Sequence, residues 1–161
     1  MTIVVSDTSP LNYLIQIGSV EILSRLFSSV IVPPTVVSEL RHAGAPEVVR
    51  NWAAKLPAWV QSRTPEKTLS FPGLGGGEIE ALSLAIELRA NLILLDDLAA
   101  REIAETHGCK TAGTLGLLAQ AQLRGWLEFE AALSKLRATN YRISEEVVGR
   151  VRAMVLQQAK R

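Results

Sequence analysis

The sequence is poor in the residues that build disulfides and zinc centres. Cys109 is the only cysteine, and His42 and His107 are the only histidines, in a chain of 161 residues. A single cysteine excludes a disulfide framework and a zinc site made of several cysteines. The two histidines lie too far apart in sequence to suggest a zinc centre. Metal chemistry in this chain would therefore have to use oxygen ligands.

Long apolar runs are also missing. No stretch approaches the roughly 20 apolar residues that a membrane helix needs. The first seven residues have no basic segment and reach a charge at Asp7, which is not the pattern of a signal peptide. These two absences predict a cytoplasmic protein without a membrane span.

Neither sign of charge is in excess, since the net charge is +1. The distribution is less even: residues 1–123 carry 9 basic and 12 acidic side chains, and residues 124–161 carry 8 basic and 4 acidic ones. This basic C-terminal part fits either ordinary surface scatter or a surface that binds phosphate. The length, together with 48% hydrophobic residues, predicts one domain with a well-filled core.

Short apolar runs alternate with helical patterns along the chain. We predict strands at residues 3–5, 30–32, 59–63, 92–95 and 110–112, with helices after each of them. This alternation predicts an α/β fold whose mostly parallel sheet is covered by helices on both faces.

Three aspartates follow predicted strands. Asp7 comes after the first strand, and Asp96 and Asp97 come after the strand at 92–95. Open α/β sheets bind their ligands beyond the carboxyl ends of the strands. If the two strands are neighbours, these carboxylates converge on one crevice. The alternative is that Asp7 and Asp97 only cap the helices that they precede.

Two glutamates add to this set. Glu39 borders the buried side of a short helix at 35–41, where a solvated boundary residue is the simpler interpretation. Glu78 begins the helix 78–89. Successive helical residues turn by about 100°, so Glu80, Ser83 and Glu87 form a polar face that we expect in solvent, and Glu78 points away from it. A carboxylate that faces the core needs a partner or a metal; the rival explanation for Glu78 is favourable charge at the helix N-terminus.

Clustered carboxylates repel one another, and hard oxygen ligands suit Mg²⁺ or Mn²⁺. Such a site is well suited to phosphodiester hydrolysis, because a bound metal ion lowers the pKa of water and stabilises the oxygens of the reacting phosphate. The carboxylates therefore favour a metal-dependent hydrolase.

Several short motifs, taken in order, resemble those of PIN domains. They are Asp7-Thr8-Ser9, residues 34–40 around Glu39, residues 77–82 around Glu78, and residues 94–97 with Asp96 and Asp97. The runs 96–101 and 111–118 resemble one prokaryotic branch of PIN-like proteins. The resemblance covers a nuclease domain at about residues 1–125. The remainder, 126–161, is predicted as a helical extension that packs on the same domain.

This resemblance implies a three-layer α/β/α fold with a parallel sheet of four or five strands, and cleavage of RNA with Mg²⁺ or Mn²⁺. The expected catalytic residues are Asp7, Glu39, Glu78 and Asp97, and the expected metal ligands are Asp7, Asp97, Asp96 and Glu39. Many prokaryotic relatives are toxins of VapBC-type toxin–antitoxin pairs, which are inhibited by a small antitoxin protein and are commonly dimeric. Thr8 either supports Asp7 by a hydrogen bond or is only a second cap residue.

One departure from the PIN pattern leaves the number of metals and the activity open. Gly113 and Thr114 stand where many PIN domains have a further aspartate. The alternative function is therefore a catalytically weak PIN-like module that binds RNA or a protein. Arg101 is predicted either to contact substrate phosphate or to form a surface ion pair.

The last predicted helix, 144–159, has an apolar stripe with Ser144 as its N-cap. The stripe consists of Val147, Val148, Val151, Met154 and Val155. It could dock on its own domain or on another chain, which by resemblance would be an antitoxin or a second copy.

Overall fold

The computed structural model describes residues 2–159 and contains one five-stranded parallel sheet in the order β3-β2-β1-β4-β5. The strands are β1 (Val4–Ser6), β2 (Val30–Val32), β3 (Val60–Ser62), β4 (Leu92–Leu94) and β5 (Lys110–Ala112). The expected α/β fold with a parallel sheet of four or five strands is confirmed.

Helices fill the connections between these strands. They are α1 (Thr8–Gln16), α2 (Ile22–Leu26), α3 (Pro34–Arg41), α4 (Glu47–Ala54), α5 (Gly76–Leu88), α6 (Leu98–Thr106), α7 (Thr114–Leu123), α8 (Phe129–Arg137) and α9 (Glu145–Ala159). Each predicted strand and helix is present, with ends that differ by a few residues at most.

The sheet separates two apolar clusters, so the molecule has three layers. Alternate strand residues point to opposite faces: Val4 belongs to the cluster with α1, α3, α4 and α7, whereas Val5 belongs to the cluster with α5 and α6. The inner strands β1, β2 and β4 are mostly buried on both faces, which explains their short apolar runs, whereas the edge strands β3 and β5 have exposed residues. Nothing in residues 2–159 forms a helix that is long and apolar enough to span a bilayer.

The C-terminal helices lie on the same face as α1. Both α8 and α9 pack against α7, and Val148 and Val155 of α9 are buried. The hydroxyl of Ser144 accepts a hydrogen bond from the Val147 N–H, as expected for the N-cap of α9. Val148 and Val155 of the apolar stripe thus pack within the domain, whereas Val147 and Met154 stay partly exposed.

Candidate active site

The two strands that precede the aspartates are neighbours in the sheet. Strand β1 pairs with β4 in parallel, with Ser6 opposite Leu94, and the Asp7 N–H extends this ladder by donating to the Leu94 carbonyl over 2.9 Å. Asp7, Asp96 and Asp97 therefore leave the same edge of the sheet.

Asp7 is a buried carboxylate among other acids. Its side chain is 5% exposed, and it makes no capping hydrogen bond to α1 although it precedes that helix. Burial raises the pKa of Asp7 to about 7; the Thr8 backbone N–H opposes this, and the charges of Glu78, Glu39 and Asp96 add to it. Asp7 therefore does not act as the simple helix cap that was the alternative.

Glu39 is held at the site from two sides. The Thr8 hydroxyl donates to Oε2 of Glu39, and the Gly77 N–H at the start of α5 donates to Oε1 over 3.0 Å. The Thr8 hydroxyl thus supports Glu39 in α3, and it is the Thr8 backbone N–H that acts on Asp7. Glu39 is exposed, as a boundary residue, yet both of its oxygens are occupied.

Glu39 can approach α5 closely only because Gly77 has no side chain. A Cβ added at Gly77 would lie 2.6 Å from Oε1 of Glu39, whereas one at Gly76 would meet only Cγ2 of Thr35, at 3.5 Å. The adjacent positions Gly76 and Gly77 therefore differ in whether they can accept a side chain, because only Gly77 lies against the Glu39 carboxylate.

Alanine at these two positions gives the first testable prediction. Gly76→Ala should leave RNA cleavage within about twofold and stabilise the protein by up to about 1 kcal/mol, because alanine favours the helix. Gly77→Ala should displace Glu39 and lower the cleavage rate by roughly 10–100-fold, on the scale for losing a supporting group. Rate assays and thermal unfolding of the pair would measure this. Equal rates in both variants would mean that Glu39 has no role in cleavage.

Glu78 combines the two interpretations that its position in the sequence allowed. Its Oε1 accepts a hydrogen bond from the Gly75 N–H over 3.0 Å at the start of α5, so it does stabilise the helix end. Burial raises its pKa; the Gly75 N–H opposes this, and the charges of Asp97 and Glu39 raise the pKa further. Glu78 is thus both a helix-end charge and a member of the carboxylate cluster.

The polar face predicted for α5 is wrong as a solvent face for Glu80 and Ser83, whereas Glu87 is exposed as expected. Ser83 is buried and accepts a hydrogen bond from the Leu69 N–H, and Glu87 accepts one from the Glu66 N–H. Glu80 accepts hydrogen bonds from the N–H and hydroxyl of Thr35 in α3. The segment between β3 and α5, together with α3, covers this face, a long-range contact that helical phase alone does not reveal.

Asp96 is surrounded by donors from three parts of the chain. It accepts four hydrogen bonds: from the Ser9 hydroxyl (2.7 Å), the Thr114 N–H and hydroxyl (2.8 Å each), and the Tyr141 hydroxyl (2.9 Å). A carboxylate offers about four lone-pair sites, so little capacity is left for a cation. These contacts favour a positioning role for Asp96 over the metal-ligand role expected from sequence. Thr114, which with Gly113 stands in the neighbourhood where the PIN pattern has a further aspartate, supplies two of the donors.

Asp97 is placed differently from its neighbour. Its Oδ2 caps α6 by accepting the Ala100 N–H over 2.9 Å, as the simpler interpretation predicted, and the residue is exposed. Within residues 2–159, no donor is bound to its Oδ1. Asp97 can therefore cap its helix with one oxygen and bind a ligand with the other.

Arg101 does not form the surface ion pair that was one alternative, as far as the described part of the chain shows. Its Nε–H donates to Oγ1 of Thr111 over 3.1 Å, and its guanidinium lines a cleft beside Asp97. The loop before α9 reaches the same place, where the Tyr141 ring packs edge-on against Tyr13, with ring centroids 4.9 Å apart. Neither tyrosine was predicted as a site residue, because only the packing of α9 on α7 brings Tyr141 to the site.

Oxygens without a protein donor, among the described residues, remain on Asp7, Glu78 and Asp97. Their chemistry fits a hard cation such as Mg²⁺ or Mn²⁺. No group of three or more His, Cys, Asp or Glu side chains in residues 2–159 is arranged to hold a metal ion by itself. This is compatible with Mg²⁺, which usually takes one or two carboxylates, keeps several waters and completes its shell with substrate phosphate.

A family model for PIN domains, DUF3368, matches residues 3–159. The chain belongs to the PIN-domain family. The match extends through α8 and α9. PIN domains are generally nucleases and usually use divalent metal ions, which agrees with the acidic edge of this sheet.

Among solved structures, this PIN domain is similar to a PilT N-terminus domain protein from the hyperthermophilic archaeon Sulfolobus solfataricus. The TM-score is 0.51 at 18% sequence identity, and the alignment covers 89% of this chain and 100% of the other. At this identity the likeness supports the fold alone. A comparison with curated proteins gave no match.

Proposed function

We propose that this PIN domain is an endoribonuclease that depends on Mg²⁺ or Mn²⁺. The observation that carries the proposal is the buried Asp7 carboxylate, whose one donor among residues 2–159 is the Thr8 N–H, next to the part-free carboxylates of Glu78 and Asp97. Burial and like charge make this arrangement costly without a counter-ion. A divalent cation would offset that cost.

Each acid has a separate task in this proposal. One or two of the carboxylates of Asp7, Glu78 and Asp97 would hold the ion, and waters and substrate phosphate would complete its shell. Glu39, fixed by Thr8 and Gly77, and Asp96, fixed by its four donors, would keep α1, α3 and α7 in place around them. The bound ion supplies activation of water and neutralises charge that develops on the phosphate. The Arg101 guanidinium would bind a substrate phosphate.

The test is cleavage of total RNA by the purified protein with Mg²⁺, with Mn²⁺ and with excess chelator. We expect cleavage only with metal, and a rate roughly 10–100-fold lower for Glu78→Gln. Glu102→Gln is the matched control, because Glu102 is exposed on α6 and its carboxylate makes no described hydrogen bond. Cleavage that persists in chelator, or equal rates for the two variants, would refute this assignment.

A specific observation also favours a second function, a catalytically weak module that binds RNA or a protein. Asp96 is saturated by hydrogen bonds, both oxygens of Glu39 are occupied, and no complete metal site is preformed within residues 2–159. A Mn²⁺ titration followed by calorimetry separates the two functions. Absence of both Mn²⁺ binding at micromolar concentration and RNA cleavage would select the weak module.

The resemblance to VapC-type proteins extends the proposal to a toxin that is inhibited by a small antitoxin and is commonly dimeric. Expression of the chain alone should then slow bacterial growth, and the Asp7→Asn form should not. Harmless expression of both forms would remove the toxin role and leave the nuclease proposal untouched. The cytoplasmic location expected from sequence stays a prediction.

A further inference from the structure

A cleft of about 920 Å³ opens directly beside Asp97. Helices α6 and α7 form one wall, and the loop before α9 with α9 itself forms the other. Its volume is that of a site for a drug-sized molecule, so it holds about one or two nucleotides and excludes a duplex.

Arginines in the C-terminal part of the chain fall into two groups. Arg137 and Arg152 are paired with Glu145 and Glu130. Arg142 and Arg150, which line the cleft with Arg101, have no such partner in the described chain. Among the arginines of residues 137–159, the two without a carboxylate partner are thus the ones that line the cleft, whereas Arg124 lies over the Trp126 ring.

The orientation of Arg101 supports an anion site. Its Nε–H is anchored on Thr111, and its Nη1 would lie 3.2 Å from a Cβ added at Gly113, another residue of the cleft wall. The remaining guanidinium N–H groups are available for a phosphate, which arginine binds with a planar pair of donors.

Both walls also carry apolar side chains. Val147, Val151 and Met154 of α9 are partly exposed there, and Leu98 of α6 is 69% exposed. Val148 and Val155, on the buried side of the same helix, pack into the domain instead. A surface with arginines on one part and apolar side chains on another suits a nucleotide, because its phosphate and its base need different environments.

We propose that this cleft binds the single-stranded RNA segment that adjoins the scissile phosphodiester, with phosphates on Arg101, Arg142 and Arg150 and a base on the apolar side chains of α9. The inference rests on the proposed nuclease function, which places the scissile phosphate at Asp97. RNA bound there has to continue into the adjoining cleft. Glu146 and Asp97 also line it and repel the charges of RNA and of an acidic protein segment alike, so the choice of RNA rests on its bases, which can pack on Val147, Val151 and Met154.

Binding can be measured apart from cleavage by fluorescence anisotropy of a labelled single-stranded RNA in chelator. The cleft pair Arg142→Gln/Arg150→Gln is compared with Arg137→Gln/Arg152→Gln, which removes the same charge from the same region outside the cleft. We expect the cleft pair to lower affinity at least about tenfold and to reduce the salt slope by about 1.4, at about 0.7 per phosphate contact on single strands. The control pair should stay within about twofold. Equal losses of affinity in the two pairs would overturn the proposal, because they would mean that RNA binds to positive charge without regard to the cleft.

Two further arms test the base and the class of ligand. Met154→Ala should weaken binding of the RNA about threefold or more, within the range of a lost base contact, and leave binding of an abasic oligonucleotide unchanged. A glutamate-rich peptide of equal charge should not displace the RNA. Equal effects of Met154→Ala on both oligonucleotides, or full displacement by the peptide, would refute RNA as the occupant.

The outcomes separate this inference from the nuclease proposal. Metal-dependent cleavage with a normal KM in the cleft pair means that the cleft inference fails and the nuclease stands. If the wild type binds RNA without cleaving it and the cleft pair loses this binding, the cleft inference stands and the nuclease proposal fails. The four replaced arginines are all exposed, so we expect the variants to fold, and circular dichroism would verify this.

Discussion

Asp7→Asn should abolish RNA cleavage and at the same time make the metal-free protein more stable above neutral pH. A carboxyl group whose folded pKa lies above its unfolded value binds its proton more tightly when folded. With 3.8 in the unfolded chain and about 7 in the folded one, wild-type stability falls as pH rises from about 4 to about 7 and then stays low. Asparagine carries no charge, so the variant escapes this loss.

The size of this effect follows from the pKa difference of about 3 at 1.36 kcal/mol per unit. The gain is at most roughly 4 kcal/mol at pH 8, because local relaxation lowers it, and is close to zero at pH 4. At about 2–4 °C per kcal/mol for a chain of this size, the melting temperature should rise by up to roughly 8–16 °C.

The measurement is thermal unfolding in chelator at pH 4, 6 and 8, with Glu102→Gln as the control that should show no pH-dependent difference. Added Mn²⁺ should stabilise the wild type, by about 2.7 kcal/mol at one hundred times its dissociation constant, and should not stabilise Asp7→Asn. A stability difference that does not grow between pH 4 and pH 8 would show that Asp7 is not held among like charges.

Alanine at position 96 should mainly lower the stability of the fold, whereas alanine at position 97 should mainly lower the cleavage rate. Asp96→Ala removes the acceptor of four hydrogen bonds and leaves the buried Thr114 donors unpaired, which should cost about 3–5 kcal/mol. Asp97→Ala loses one helix cap at an exposed position and should cost only about 1 kcal/mol. RNA cleavage should fall most in the Asp97 variant, by roughly 10–100-fold.

Asparagine distinguishes a positioning role from a metal-ligand role at the same two positions. At position 96 the amide nitrogen can donate to the Ser9 and Thr114 hydroxyls, which reverse direction, while the oxygen still accepts the Thr114 N–H. Asp96→Asn should therefore recover most of the stability and activity lost in Asp96→Ala. Asp97→Asn should stay inactive and lose Mn²⁺ affinity. Denaturant unfolding, Mn²⁺ titration and cleavage rates on the four variants decide this; loss of Mn²⁺ binding in Asp96→Asn would return Asp96 to the metal ligands.

The strands and the edge of the sheet that carries the acids could be predicted because both depend on local patterns. Short β-branched and apolar runs specify buried parallel strands, and Asp7 and Asp97 follow two of them. The inward direction of Glu78 came from helical phase, which is also local. Its neighbours in the cluster, and the raised pKa, then follow from the pairing of β1 with β4.

Contacts between distant segments could not be predicted from the sequence patterns. The Glu80 side chain binds Thr35, which is 45 residues away, and no period along α5 indicates that partner. Tyr141 reaches Asp96 across the same separation, only because α9 returns over α7. The different roles of Asp96 and Asp97 also depend on these partners, since the two side chains are chemically identical.

The hydrogen bonds on Asp96 have a consequence for the lifetime of the folded state. They join residues that are 87, 18 and 45 positions apart, and closing long loops costs entropy before such bonds form. Interactions that form after the rate-limiting step of folding slow unfolding and leave the folding rate almost unchanged. Replacement of Asp96, Ser9 or Tyr141 should therefore mainly raise the unfolding rate. Each variant should survive for a shorter time in the presence of protease, although it refolds at the usual rate.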